Sequence, residues 1–140
     1  MDRCILFVSP HREDAEVISR MLEAAGLGFE HATTVSAARA RLRRRRYGAV
    51  LTAADLSDGT WKDILALSEH FGTANATVVT DVAADDRFWA EALNLGAYDV
   101  LAQPFDTCEV QRILTLACAQ PSPRHHSAPG SDLASLSVTA

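Results

Sequence analysis

The 140-residue chain is long enough for one domain with its own core and too short for two. With 48% hydrophobic and 22% charged residues it lies in the globular range, which excludes wholesale disorder. A net charge of −5 excludes a general attraction to nucleic acid or anionic membrane, one arginine run apart.

Cys4 to Val8 (CILFV) is a continuous apolar run, the pattern of a strand buried on both faces. Pro10 and charges interrupt it, so it is too short for a signal-peptide core, and no stretch reaches the length of a membrane span. Glu13 to Ala25 carries Ala15, Val17/Ile18, Met21/Leu22 and Ala25 at helical spacing, and Gly26 stops it. Phe29 to Ala32 reads as a short second strand. Thr34 or Ser36 caps a helix running to about Arg45, with Val35, Ala38 and Leu42 inward. Ala49 to Thr52 is a third strand, and Asp55 to Thr60 reads as a loop with its turn at Asp58-Gly59. Trp61 to Phe71 is helical, and the β-branched run Thr77 to Thr80 is a fourth strand. Asp85 to Leu95 is a helix ended by Gly96, with Ala92, Leu93 and Gly96 on its inner stripe. Tyr98 to Ala102 is a fifth strand, and Thr107 to Ala119 a last helix, with Val110, Ile113/Leu114 and Ala117 inward.

Strands and helices that alternate five times force a parallel sheet, and right-handed crossovers place helices on both faces. The fold class is therefore α/β, a single doubly wound five-stranded parallel sheet over residues 1–119. Chemistry in such sheets sits at the carboxyl ends of the strands, here Ser9-Pro10, Ala53, Thr80 and Gln103. Residues 120–140 shift to Pro, Ser and Ala without a core pattern and read as a flexible tail or linker. His125-His126 in it lacks a third ligand at useful spacing, so no metal site is expected. Cys4, Cys108 and Cys118 have no CxxC spacing, which points away from disulfides or zinc and toward a reducing cytoplasm.

The opening ILFV strand, YGAVLTAADLSDGT and above all GAYDVLAQPF together resemble the receiver domains of response regulators in two-component signalling. The likeness runs over about residues 3 to 119 and implies the CheY-like (flavodoxin-like) strand order 2-1-3-4-5. In that family an aspartate takes a phosphoryl group from a histidine kinase, and an acidic pair holds Mg²⁺. A lysine pairs with the phosphate and a Ser/Thr hydrogen-bonds it. The resemblance places the acidic pair on Ser9 and Pro10, the nucleophile on Ala53 and the lysine on Gln103; Lys62, the only lysine, is elsewhere. Only Thr80 survives. A shift of register to Asp55 or Asp58 recovers neither the acidic pair nor the lysine. The expectation is a degenerate receiver without Mg²⁺ or catalysis, working by protein interaction with a kinase, transcription factor or effector domain, or as a homodimer.

The resemblance also implies a docking face on the fourth helix, fifth strand and fifth helix, here Trp89, Tyr98, Asp99, Val100 and Arg112. Tyr98 and Val100 are expected on one side of their strand by period-2 alternation, and Gln103-Pro104 is expected to be cis. Two other readings stay open. One is a small-ligand or alternative-modification sensor, with Ser9, Thr80, Gln103 and Trp61 lining the site. The other is nucleic-acid binding through Arg39, Arg41 and Arg43 to Arg46, set against the simpler role of cations at a helix C-terminus.

Overall fold

The computed structural model describes residues 3–71, 76–82 and 85–119. The expected tail at 120–140, with His125 and His126, lies outside them. In chain order the elements are β1 (Cys4–Val8), α1 (Arg12–Ala24), β2 (Gly28–Ala32), α2 (Val35–Arg44), β3 (Ala49–Ala53), β4 (Asp55–Leu56) and β5 (Gly59–Thr60). They continue with α3 (Trp61–Phe71), β6 (Thr77–Asp81), α4 (Asp86–Asn94), β7 (Asp99–Ala102) and α5 (Thr107–Cys118). Five parallel strands pair in the order β2-β1-β3-β6-β7, which is the expected 2-1-3-4-5 once the small β4–β5 ribbon is set aside. No described helix is long and apolar enough to cross a membrane.

Alternation along β1 divides the core. Ile5 and Phe7 pack with Ile18 and Leu22 of α1 and Ile113 and Leu114 of α5. Leu6 and Val8 pack on the other face with Ala38 and Leu42 of α2 and Ile64 of α3. A third cluster gathers Ala54, Trp61, Leu65, Val79, Ala92, Ala97 and Val100 between α3 and α4. Of the two caps open for α2, Thr34 is used, its Oγ1 accepting from Ala37 N at 3.0 Å. Asp85 and Asp106 cap α4 and α5 in the same way. Gly26 (φ 76°) and Gly96 (φ 113°) follow α1 and α4 in the left-handed region where a Cβ is strained, so the stops read from sequence hold.

Four expectations change. Residues 55–60 form the antiparallel ribbon β4–β5, with Leu56 opposite Gly59, so the two-residue turn is Ser57-Asp58 rather than Asp58-Gly59. Gly59 is required for packing: a Cβ there would lie 2.8 Å from Val35 Cγ2. On α4, Leu93 is 45% exposed and Phe88 takes the inward place, because Phe88 and Ala92 share the face that meets α3. Tyr98 packs with the α1–α5 cluster while Val100 packs under α4. Tyr98 precedes the strand proper, so strand alternation does not bind it. Finally, Trp61 is 4% exposed: it is buried in the third cluster just past β3, its backbone N–H donating to Ala54 O at 3.0 Å and its ring edge-on to Phe88 at 5.9 Å, instead of lining an open rim.

A polar node ties the β2 edge to α2. Glu30 Oε1 accepts from Tyr47 OH at 2.6 Å and Arg41 NH1 at 2.7 Å, and its Oε2 accepts from Arg45 NH1 at 2.8 Å. The hydrogen bond from Tyr47, helped by both arginines against the cost of burial, holds the Glu30 carboxyl below the usual glutamate range. Burial and Glu30 push the Tyr47 phenol up to about 12. The carboxyl's contribution is therefore complete above the ordinary glutamate value and is lost as pH falls through the lowered one. The phenol's is complete below the ordinary tyrosine value and is lost as pH rises through about 12. Thermal unfolding across the acid range checks the first limb: Glu30→Gln is expected to flatten it and to lower stability at neutral pH.

Candidate functional site

Parallel strands bring the ends of β1, β3, β6 and β7 to one rim of the sheet. Val8 pairs with Thr52, so Ser9 follows beside Ala53, and Ala53 pairs with Thr80. The expected set of Ser9, Ala53, Thr80 and Gln103 is thus brought together, with Pro10 exposed at its margin.

The polar groups of this set are spent on one another and on the backbone. Ser9 is fully buried; its N–H donates to Ala32 O at 3.0 Å and its Oγ accepts from His11 N at 3.1 Å. The Ser9 carbonyl accepts from His31 Nε2 at 2.8 Å, which places the ring proton on that nitrogen. Thr80 is buried, donates from Oγ1 to Leu101 O at 2.7 Å, and accepts from Gln103 Nε2 at 3.3 Å. Gln103-Pro104 is cis. The chain Gln103–Thr80–Leu101 therefore ties the end of β6 to β7 with uncharged groups only.

Asp58, five residues past Ala53, does not supply the missing charge. Asp58 sits in the ribbon turn and caps α2 from a distance, Oδ1 accepting from Val35 N at 2.8 Å and Oδ2 from Ser36 N at 3.1 Å. Those backbone bonds hold its carboxyl below the usual range. Lys62 pairs with Glu91 Oε2 at 3.0 Å and lies over the Trp61 ring, bridging α3 to α4. Among the described residues no group of three His, Cys, Asp or Glu side chains is placed to hold a metal ion. His31 and the Asp58 cap were missed by sequence reasoning, because contacts between residues so far apart leave no periodic signal.

A second candidate surface lies along the β7 edge. Glu91 faces α3 through Lys62, and at about 100° per residue Trp89 and Leu93 occupy the opposite flank of α4. Trp89 is 46% exposed. On α5, Gln111 reaches back to Met21 O of α1 at 2.9 Å, which turns exposed Arg112 and Leu116 away from α1. Both helices pack against the edge strand β7, which carries half-buried Asp99. Of the expected face, Trp89 and Arg112 are exposed, Tyr98 and Asp99 are half-buried, and Val100, at 6% exposure, belongs to the core.

The arginine run divides as well. Arg41 and Arg45 are bound to Glu30, and Arg45 stacks 5.0 Å from the Tyr47 ring centre. Arg39, Arg43, Arg44 and Arg46 are exposed and form no ion pair among the described residues.

No family model matches the sequence, and no curated protein matches it. Solved structures do. The receiver domain of the Francisella response regulator 1452 superimposes with a TM-score of 0.75 at 15% identity, over 84% of this chain and 98% of that one. The signal receiver domain of an HD-domain-containing protein from Pseudomonas fluorescens Pf-5 gives 0.74 at 22% identity, over 85% and 96%. The beryllofluoride-activated NtrC4 receiver domain, solved as a dimer, gives 0.76 at 18% identity, over 84% and 97%. Similarity of architecture at such low identity establishes architecture, and on it the chain has the five-stranded α/β fold of response-regulator receiver domains.

Proposed function

We propose that this chain is a receiver-type module of two-component signalling that acts through phosphorylation-independent docking of a protein partner, and that it is not an enzyme. The observation that carries the reading is the composition of the rim: Ser9, Pro10, Ala53 and Gln103 stand where phosphoryl transfer needs an acidic pair, an aspartate and a lysine. Ala53 has no nucleophile, and Pro10 no side-chain oxygen. The donor set does not fit Mg²⁺, which takes carboxylates and water, because the Ser9 hydroxyl is the one side-chain oxygen at the end of β1 and accepts from His11. An acid cluster without metal would repel itself, so its replacement by neutral groups suits a scaffold kept in one state.

A ligand-sensing rim is the weaker reading. Ser9, Thr80 and Gln103 already have partners, and Trp61 is turned into the core. The β7 edge offers the alternative outlet: exposed Trp89 and Leu93 on α4 and exposed Arg112 and Leu116 on α5 are residue types found in protein-binding surfaces. A cytoplasmic site of action goes with this reading, as does the lack of any CxxC spacing among Cys4, Cys108 and Cys118.

The test is incubation with acetyl phosphate and Mg²⁺, followed by intact-mass measurement and by amide NMR with beryllofluoride. We expect an unchanged mass and unmoved resonances at Ser9, Ala53, Thr80 and Gln103. A stable gain of one phosphoryl group refutes the proposal and returns attention to Asp55 and Asp58.

A further inference from the structure

Charge is sorted along this sheet from one edge to the other. Residues 33–48, which hold α2 beside the β2 edge, contain six arginines and no carboxylate. Residues 85–119, which hold α4, β7 and α5 at the far edge, contain Asp85, Asp86, Glu91, Asp99, Asp106 and Glu109 against Arg87 and Arg112. The sheet order puts β2 and β7 at opposite limits, so the basic and acidic ends point away from each other. They cannot neutralise one another within one molecule.

We infer that the partner of the β7-edge face is a second copy of this chain, docked head to tail through its α2 arginines. The inference rests on the docking reading above and names its occupant. Glu30 takes up two arginines and thereby fixes the last turn of α2, while Arg39, Arg43, Arg44 and Arg46 remain presented to solvent. The acceptor edge matches them in kind: exposed Trp89 is a surface on which a guanidinium stacks, exposed Asp86 lies one turn before it on α4, and half-buried Asp99 and Glu109 are carboxylates of β7 and α5 at the same limit of the sheet. Arg87 and Arg112 temper this acidic field without cancelling it. Because donor and acceptor patches differ, the contact is heterologous and leaves one of each free at the ends, so association continues past two copies. Salt weakens it, since exposed charges are screened within about 10 Å at 0.1 M.

Sedimentation velocity on the full chain tests this across protein concentration at about 20 mM and about 300 mM salt. The expected result is a mass that climbs past two copies at low salt and returns to one at high salt. Arg43→Glu with Arg44→Glu, and separately Asp86→Lys with Asp99→Lys, should each abolish the climb, and mixing the two variants should restore it. Thermal unfolding verifies that both fold, and Asp86→Asn with Asp99→Asn, which should reduce the climb, replaces the second if it does not. A mass that stops at two copies and ignores the arginine changes denotes a symmetric contact; it overturns the head-to-tail inference and leaves the docking reading standing. A wild-type chain that stays monomeric throughout, associates regardless of salt, or captures duplex DNA with those arginines instead of itself also overturns it. Association that requires Mg²⁺ with beryllofluoride overturns both readings.

Discussion

Phe7→Ala is expected to lower the free energy of unfolding by about 3–5 kcal/mol, the cost of deleting a fully buried aromatic ring. Phe7 lies at the middle of the architecture: β1 pairs on both sides, and Phe7 itself is in register with His31 of β2 and Leu51 of β3. Its side chain is fully buried in the α1–α5 core, with the Phe29 ring 6.3 Å away and the His31 ring stacked at 5.8 Å. Backbone pairing on both sides keeps the strands from closing over the space, so most of the cavity persists. A loss of that size is a large share of the ~5–15 kcal/mol that holds an ordinary domain. It also frees the imidazole whose Nε2 donates to the Ser9 carbonyl, so the rim at the end of β1 loosens with the core. Chemical denaturation measures the change, and Phe7→Leu, which keeps much of the volume, should cost under about 1.5 kcal/mol. If Phe7→Ala costs no more than Phe7→Leu, the core collapses around the deletion and the rigid-sheet account is wrong.

Trp61→Ala is the second large effect, again about 3–5 kcal/mol from lost burial, of which the edge-on contact with Phe88 contributes about 0.5–1.5 kcal/mol. The functional consequence differs from that of Phe7. Among the residues of α4, Ala92 is fully buried and Phe88 packs partly against the same cluster, so Trp61 is a main anchor holding that helix to the body. Besides Leu65, Val79 and Val100 of the same cluster, the exposed ion pair Lys62–Glu91 ties the helix and is worth little by itself. Deleting the indole should therefore raise hydrogen exchange in α4 selectively and weaken any docking at Trp89 and Leu93 on the same helix. Trp61→Phe should restore exchange protection in α4. Uniform loss of protection along the whole sheet would mean that Trp61 acts on global stability and not on α4.

Much of this was readable in the chain before any coordinates. The five strands appear as CILFV, FEHA, AVLT, TVVT and YDVLA, and each observed boundary falls within about two residues of the one read from apolar runs and Gly stops. The rim was also legible, because strand ends in a parallel sheet converge whatever the side chains are. Errors fell where periodicity has no authority. Tyr98 precedes its strand and escaped alternation; Leu93 and Phe88 exchanged places on a short helix whose apolar residues outnumber its buried positions. Trp61 reads the same from sequence whether it covers a rim or fills a gap between helices.

Local chemistry determined the strands, the caps at Thr34, Asp85 and Asp106, the left-handed stops at Gly26 and Gly96, and the absence of acid and lysine from the rim positions. Each of these depends on a residue's own type and its near neighbours, which a linear text records. The tertiary structure alone decided that Asp58 caps a helix more than twenty residues earlier in the chain, and that Glu30 gathers Tyr47, Arg41 and Arg45. It alone decided, too, that the arginines and the carboxylates stand at opposite limits of one sheet. The physical reason is common to all three: a hydrogen bond or a Coulomb field acts through space over a few ångströms, and only folding converts sequence separation into that distance.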